Sequence, residues 1–206
     1  MARRRPAGDR MRTTKLTPEL LVSAYASGIF PMAMNEAGEI GWFSPDPRAI
    51  IPLDERFHIP HGLRRVLKRA PFTITVDHDF AGVIRACATA HGSTWISREI
   101  VRSYIELHEH GFAHSVEARV DGKLVGGLYG VHLHGAFFGE SMFHHVTDAS
   151  KVALVALVER LRERQFILLD TQWVTPHLAR FGTVTLPRAQ YLNLLERALQ
   201  KRCRFV

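Results

Sequence analysis

Cysteine is scarce. Two residues, Cys87 and Cys203, in a chain of 206 cannot form a disulfide framework, and they lack metal-binding spacing. No run approaches the roughly 18 consecutive apolar residues of a membrane span. The start of the chain is crowded with Arg3, Arg4, Arg5, Arg10, Arg12 and Lys15. No apolar stretch follows them, as a signal peptide would require. These absences point to a cytoplasmic protein without a membrane partner. Twelve histidines include His108/His110, His132/His134 and His144/His145, but none has the helical H-E-x-x-H spacing of a catalytic zinc site, so no metal is expected. Gly126-Gly127-Leu128-Tyr129-Gly130 matches neither a dinucleotide loop nor a Walker-type loop, and no cofactor is expected. Those glycines instead suit a sheet bulge, or the close approach of a ligand or another backbone.

What is present is a globular balance of 46% hydrophobic and 23% charged residues, with a net charge of +7. That charge favours an acidic partner, nucleic acid first, because phosphate neutralisation releases counterions. Much of the excess sits at the ends, including Lys201, Arg202 and Arg204, where a solubilising tail is an equally natural reading. Thr17 and Pro18 predict a helix start, with the helix running through Leu20, Leu21, Ala24 and Tyr25 to a stop at Gly28. A turn-rich stretch follows to Pro60, with a short strand over 49–53 and a boundary between about 45 and 60. Ser97 caps a helix that ends at Gly111. Ser115–Val120 and Lys123–Tyr129 form a hairpin around Asp121-Gly122, and Ala136–Glu140 is a further strand. Asp148 caps a helix through Leu154, Val155, Val158 and Leu161, Phe166–Asp170 is a buried strand, and Pro187 starts a last helix to about Gln200. The expected fold is α/β (α+β) around one mixed sheet, in the order of an N-acyltransferase-like domain.

Three groups can carry chemistry. Glu140 and Ser141 end an apolar strand, where a charge is costly without a partner, either a cationic substrate or a structural arginine. Ser141 lacks the glycine pattern of a nucleophile elbow. Asp170 and Gln172 end another strand on the same face by alternation. There a carboxylate can orient an amide whose oxygen accepts from an amine; a helix-capping Asp is the plainer alternative. Trp42, Trp95 and Trp173 are either core or faces for base stacking at roughly 1–3 kcal/mol each.

Eight blocks along residues 16–200 together resemble the leucyl/phenylalanyl-tRNA–protein transferase family in order and approximate spacing. They are Tyr25–Pro31, Trp42–Arg48, Thr94-Trp95-Ile96, Ala113–Glu117, Leu124–Gly130, Gly139–Phe143, Ala149-Ser150-Lys151 and Leu169–Gln172. Composition makes 1–15 a basic, disordered tail, and the resemblance implies a small N-terminal domain over 16–46 and a GNAT-like catalytic domain over 47–206. It implies a monomeric aminoacyltransferase of the bacterial N-end rule pathway. Leucine or phenylalanine would move from aminoacyl-tRNA onto proteins beginning with Arg or Lys, marking them for degradation. On that resemblance Asp170 and Gln172 match the catalytic pair, Asp170 polarising Gln172, which helps take a proton from the attacking α-amine. Glu140 matches the acidic residue that meets the acceptor. Leu128, Met142, Leu157 and Leu161 match the aminoacyl pocket, and Trp95 the contact to the 3′-terminal adenosine. Arg64, Arg65, Lys68 and Arg69 are placed to hold acceptor-stem phosphates.

The sequence departs from the family at Met32, where tryptophan is common, at His144, where serine is common, and at Asp148, where asparagine is usual. Leu128, Leu157 and Leu161 replace methionine or phenylalanine of some relatives, leaving the choice among leucine, phenylalanine and methionine open. Two other readings compete. An acyl-CoA N-acyltransferase would want a glycine-rich pyrophosphate turn where His144–Asp148 stands. A non-catalytic tRNA-binding protein would leave Glu140, Asp170 and Gln172 without a role.

Overall fold

The computed structural model describes residues 15–90 and 94–206. Arg3, Arg4, Arg5, Arg10 and Arg12 of the basic start lie outside the described residues. The chain begins with α1 (Pro18–Ala26), where Thr17 accepts a hydrogen bond from the Leu20 N–H at 3.3 Å and proline occupies the first turn. Proline is tolerated there because that turn has no partner for its N–H. β1 (Phe30–Ala33) and β2 (Ile40–Phe43) pair antiparallel as a separate two-stranded sheet. β3 (Arg48–Ile51) leads away from it, and α2 (His61–Arg69), β4 (Thr73–Val76), α3 (Phe80–Thr89) and α4 (Arg98–Glu109) follow. Ser97 caps α4 as expected, accepting from the Ile100 N–H at 3.3 Å.

The main sheet continues with β5 (Ala113–Val120), β6 (Lys123–Leu133) and β7 (Ala136–His144). The β5–β6 turn places Asp121 at φ 48° and Gly122 at φ 76°, the two left-handed residues that match strand twist. Helix α5 (Ala149–Glu163) crosses over to β8 (Leu168–Gln172); α6 (Pro176–Ala179), β9 (Val184–Leu186) and α7 (Arg188–Leu199) complete the chain. The strand order is β4-β5-β6-β7-β8-β3-β9. Every neighbouring pair is antiparallel except β7 and β8. The result is the expected α/β layering around one mixed, largely antiparallel sheet.

The sheet is covered on both faces. One core joins Leu21 and Tyr25 of α1, Phe80 and Val83 of α3, Tyr104 of α4 and Tyr191 of α7. The other joins Leu63 of α2 to Leu154, Leu157, Val158 and Leu161 of α5. The glycines of β6 serve these layers. A Cβ on Gly126 would stand 2.5 Å from Ala149 Cβ, and one on Gly130 would stand 2.3 Å from the Phe138 carbonyl oxygen. It is the protein's own chain that they admit. Asp148 sits at the α5 N-cap position but does not cap it with its side chain. Its carboxylate instead accepts from Lys151 Nζ at 2.6 Å, and its φ of 70° places the residue in the left-handed region. No helix among the described residues is long and apolar enough to cross a membrane.

Candidate active site

Strands β7 and β8 pair only from Ala136–Phe138 to Leu168–Asp170 and then part. Between them lies a cavity of about 530 Å³. Its apolar wall carries Leu128, Met142, Leu154, Leu157 and Leu169. Of the four residues expected to form an aminoacyl pocket, Leu128, Met142 and Leu157 are there. Leu161 is not: one turn further along α5, it is fully buried in the core, and Leu154 lies on the wall in its stead. Leu154, Leu157 and Leu161 share one helix face, so it is position along the axis that differs, and Leu161 lies a turn beyond the cavity. Phe30, Met32, Trp95 and Trp173 also line it and make the lining partly aromatic. Trp173 is 42% exposed and is held edge-on by Phe30 at 5.2 Å between ring centroids.

Glu140 and Gln172 face each other across the parting strands, with Gln172 Nε2 donating to Glu140 Oε1 at 3.4 Å. Tyr25 also donates to that carboxylate oxygen, at 2.7 Å, and shares a short hydroxyl contact with Tyr104. These partners of Glu140 are neutral. Burial pushes its carboxyl up to about 8, with Asp170 adding to the rise while the Tyr25 hydrogen bond and the more distant Arg48 oppose it. The structural arginine considered above does not bind Glu140; it binds Asp170.

Arg48 and Asp170, 1% and 0% exposed, form a buried ion pair. Arg48 Nε lies 2.9 and 3.1 Å from the two carboxylate oxygens, and Nη2 lies 2.7 Å from Oδ2. Tyr191 donates its hydroxyl to Oδ2 at 2.7 Å. The guanidinium also reaches the Gly28 carbonyl at 3.1 Å and lies over the rings of Phe30 and Tyr191 at 4.8 and 4.7 Å. The remaining hydrogen bond of Asp170 comes from the backbone N–H of Gln172 at 2.9 Å. Asp170 therefore acts on Gln172 through the main chain, while the side-chain amide turns to Glu140.

That main-chain hydrogen bond shapes the end of β8. Ile50 pairs with Asp170 and Ala49 with Gln172, leaving Thr171 as a bulged extra residue. Gln172 has φ 59°, a left-handed conformation that costs a non-glycine residue on the order of 1 kcal/mol or more. Bulges re-aim side chains beside active sites, and this one presents the Gln172 side chain to the cavity. Strand alternation drew attention to Asp170 and Gln172 but not to the bulge, and of the two only Gln172 lines the cavity. Arg48, Tyr25, Tyr104 and Tyr191 also escaped sequence reasoning. A signal existed for Arg48, because a cation opening the apolar run Ala49-Ile50-Ile51 demands a buried anion.

Other groups are set apart. Cys87 touches Ser141, but burial pushes its thiol up to about 12, which leaves no thiolate for nucleophilic attack near neutrality. Arg64, Arg65, Lys68 and Arg69 form an exposed basic face of α2 and do not line the cavity. The substituted His144 does line it, as does Met32.

A sheet whose one parallel pair parts around a cavity, with a crossover helix behind it and polar groups on both strand ends, has the layout of an enzyme site for an apolar group beside a polar one. The leucyl/phenylalanyl-tRNA protein transferase family matches residues 50–196, and the N-terminal domain of the same family matches residues 14–46. Proteins called leucyl/phenylalanyl-tRNA–protein transferase are similar over nearly the whole chain. The protein of Akkermansia muciniphila is 57% identical over 189 residues, 91% of this chain and 98% of its own. That of Salinibacter ruber is 58% identical over 184, 89% and 80%, and that of Herpetosiphon aurantiacus is 57% identical over 188, 91% and 97%. The chain belongs to the leucyl/phenylalanyl-tRNA protein transferase family. Solved structures are more distantly similar. One is a ribosomal-protein-alanine N-acetyltransferase from Brucella melitensis biovar Abortus 2308, with 21% identity and TM-score 0.37 over 54% of this chain and 84% of that one. Another is L-PGS from Bacillus licheniformis, with 15% identity and TM-score 0.41 over 78% and 55%.

Proposed function

We propose that this aminoacyltransferase moves leucine or phenylalanine from charged tRNA to the α-amine of proteins that begin with Arg or Lys, and so marks them for N-end rule degradation. The observation that carries the reading is the cavity itself, which sets Leu128, Met142 and Leu157 beside Gln172 and a Glu140 without a cationic partner among the described residues. Burying a leucine or phenylalanine side chain against Leu128, Met142 and Leu157 is worth about 1.5–3 kcal/mol, enough to favour large apolar donors. The acceptor α-amine attacks the ester carbonyl. A C–N bond forms, the C–O bond to the terminal ribose breaks, and the proton lost by the amine is balanced by one gained at the ribose oxygen. An aminoacyl ester is already activated, so holding the amine near the carbonyl supplies much of the acceleration.

In this scheme the Gln172 amide oxygen accepts a hydrogen bond from the amine, and Asp170 is a positioning residue that holds Gln172 by its backbone. Glu140 meets the cationic acceptor, and Trp95 meets the terminal adenosine. The exposed basic face of α2 holds the acceptor-stem phosphates. Residues 16–46 serve as an N-terminal domain and 47–206 as the catalytic domain of a cytoplasmic monomer. The test is transfer of labelled leucine and phenylalanine from charged tRNA to matched peptides beginning with Arg, Lys, Asp or Ala. Label is expected on the Arg and Lys peptides, with Gln172→Ala folded but slow, Asp170→Ala slow and less stable by about 3–5 kcal/mol because it strands Arg48 in the core, and Trp95→Ala raising the KM for charged tRNA. Unchanged transfer in both strand-end variants, or label independent of the peptide terminus, overturns the scheme.

A further inference from the structure

The cavity changes character along one direction. Its lining passes from Met142 to His144 on β7, from Leu169 to Thr171 on β8, and from Leu157 through Leu154 to Ser150 on α5. Strands β7 and β8 are parallel and α5 is the crossover that returns between them, so all three elements turn polar at the same end. His177 of α6 lines the cavity as well. An aminoacyl side chain held on Leu128, Met142 and Leu157 makes no use of this end.

Two polar atoms of the lining, Thr171 Oγ1 and His177 Nε2, are buried without a hydrogen-bond partner among the described residues. Such atoms are costly to bury unless something completes them. Positive groups stand around His177. Burial lowers the affinity of its ring for a proton, and Lys151, His144 and Arg180 act in the same sense. Lys151 is tied to Asp148 at 2.6 Å, whereas Arg180 is exposed and has no carboxylate partner among the described residues. Both line a second hollow, of about 170 Å³, that reaches Gly62 and Leu63 of α2. Lys151 follows Ser150 in α5, so this hollow abuts the polar end of the cavity. Beyond it α2 carries the exposed Arg64, Arg65, Lys68 and Arg69. The cations thus form a line from the cavity to that helix.

We infer that His177, Lys151 and Arg180 form a subsite for the phosphodiester backbone of a single-stranded RNA 3′ end, guiding the donor from the basic face of α2 into the cavity. The inference rests on the transferase reading, which makes that donor a charged tRNA. A polyanion is favoured over a lone anion because the positive groups follow one another instead of converging on a point. Arg180 offers a planar fork to a phosphate, and Lys151 a point charge held in place by Asp148. His177, as a neutral ring, donates its N–H at the inner end, and the Thr171 hydroxyl donates beside it. Phosphate contacts position a strand without reading its bases, which suits an enzyme that accepts more than one tRNA.

Donors of different length separate this role from a structural one. Arg180→Gln should raise the KM for leucyl-tRNA roughly tenfold, as expected for one charge-assisted contact, with little change in kcat. The penalty should disappear with 3′-leucyl-adenosine, which has no phosphate. His177→Phe, which keeps a ring but loses the nitrogen, should follow the same pattern. Arg180 is exposed, so its variant carries the test even if His177→Phe does not fold. An equal penalty for both donors, or none for the tRNA, overturns the inference. Binding is measured separately, by fluorescence anisotropy of a labelled, uncharged oligoribonucleotide ending in CCA over a range of salt. Arg180→Gln should lower the slope of log affinity against log salt by about 0.7, the share of one phosphate on a single strand. Arg197→Gln, on α7 across the sheet, should leave the slope as it is. An unchanged slope in the Arg180 variant, or no binding by the wild-type chain, overturns the inference whether or not transfer is seen. If the slope falls but no amino acid is transferred, the subsite stands and the transferase reading fails.

Discussion

Replacing Glu140 by glutamine should stabilise the fold, and increasingly so as pH rises. The carboxyl has an ordinary value of 4.5 and is pushed by burial to about 8 in the folded chain. Between those values the folded state holds a proton that the unfolded state has released, so this group makes stability fall as pH rises from 4.5 to 8. Each unit of difference is about 1.36 kcal/mol, which puts the loss on the order of 3 kcal/mol at pH 7 and 4 at pH 8. The substituted amide cannot ionise and still accepts the Tyr25 hydroxyl. Its oxygen, in the place of Oε1, keeps the hydrogen bonds from both Tyr25 and Gln172 Nε2, and its NH₂ takes the place of Oε2. The net advantage of Glu140→Gln is therefore near zero at pH 4.5 and about 2–4 kcal/mol at pH 8. Urea unfolding at pH 5, 6.5 and 8, followed by tryptophan fluorescence, measures it. With a slope of about 2 kcal/mol/M, 3 kcal/mol moves the midpoint by about 1.5 M. A difference that stays flat across the range, or a variant that loses ground as pH rises, refutes the reasoning. The same variant should lose transfer to Arg and Lys peptides most, so stability is gained where function is lost.

Arg48→Met should cost about 3–5 kcal/mol in urea unfolding, because it strands the Asp170 carboxylate in the core; Arg48→Met with Asp170→Leu should cost less than the sum of the single changes, and strict additivity would contradict the coupling. Gln172→Gly should relieve the left-handed backbone, gaining about 1 kcal/mol or offsetting the lost side-chain contacts, while slowing transfer as much as Gln172→Ala; a glycine variant less stable than the alanine one would show that the φ of 59° is not strained.

The elements most legible in the sequence were those with local punctuation. Thr17-Pro18, Ser97 and Asp121-Gly122 each declare a cap or a turn through their own backbone chemistry, and the structure uses all three. Asp148 sat at the right position but not in the expected role, because Lys151 one turn along offers its carboxylate an ion pair. Helices α2 and α3 with strand β4 were missed, since His61–Arg69 and Thr73–Val76 are short and owe their state to the layers they pack against. At the site, Glu140 and Gln172 stood out as polar residues ending apolar strands. Their partners did not, because Tyr25, Arg48 and Tyr191 come from three other elements and meet only through the sheet order. Leu161 was misplaced for a related reason, as the resemblance marked the helix but not which turn of it faces the cavity.

Gln172 joins these strands of reasoning. A buried ion pair is weak support for a fold, since two desolvated charges do little better than a well-packed hydrophobic pair. Arg48 and Asp170 are better understood through geometry. The fork of Arg48 and the hydroxyl of Tyr191 leave Asp170 one direction in which to accept a further hydrogen bond, and the backbone N–H of Gln172 lies there. That bond holds Gln172 in a conformation its own preferences oppose and delivers its amide to the cavity opposite Glu140. A neutral core could be as stable but would leave the strand end free to relax. In the proposed reaction, the ion pair is thus the means by which an amide, a weak base, is held close to the attacking amine.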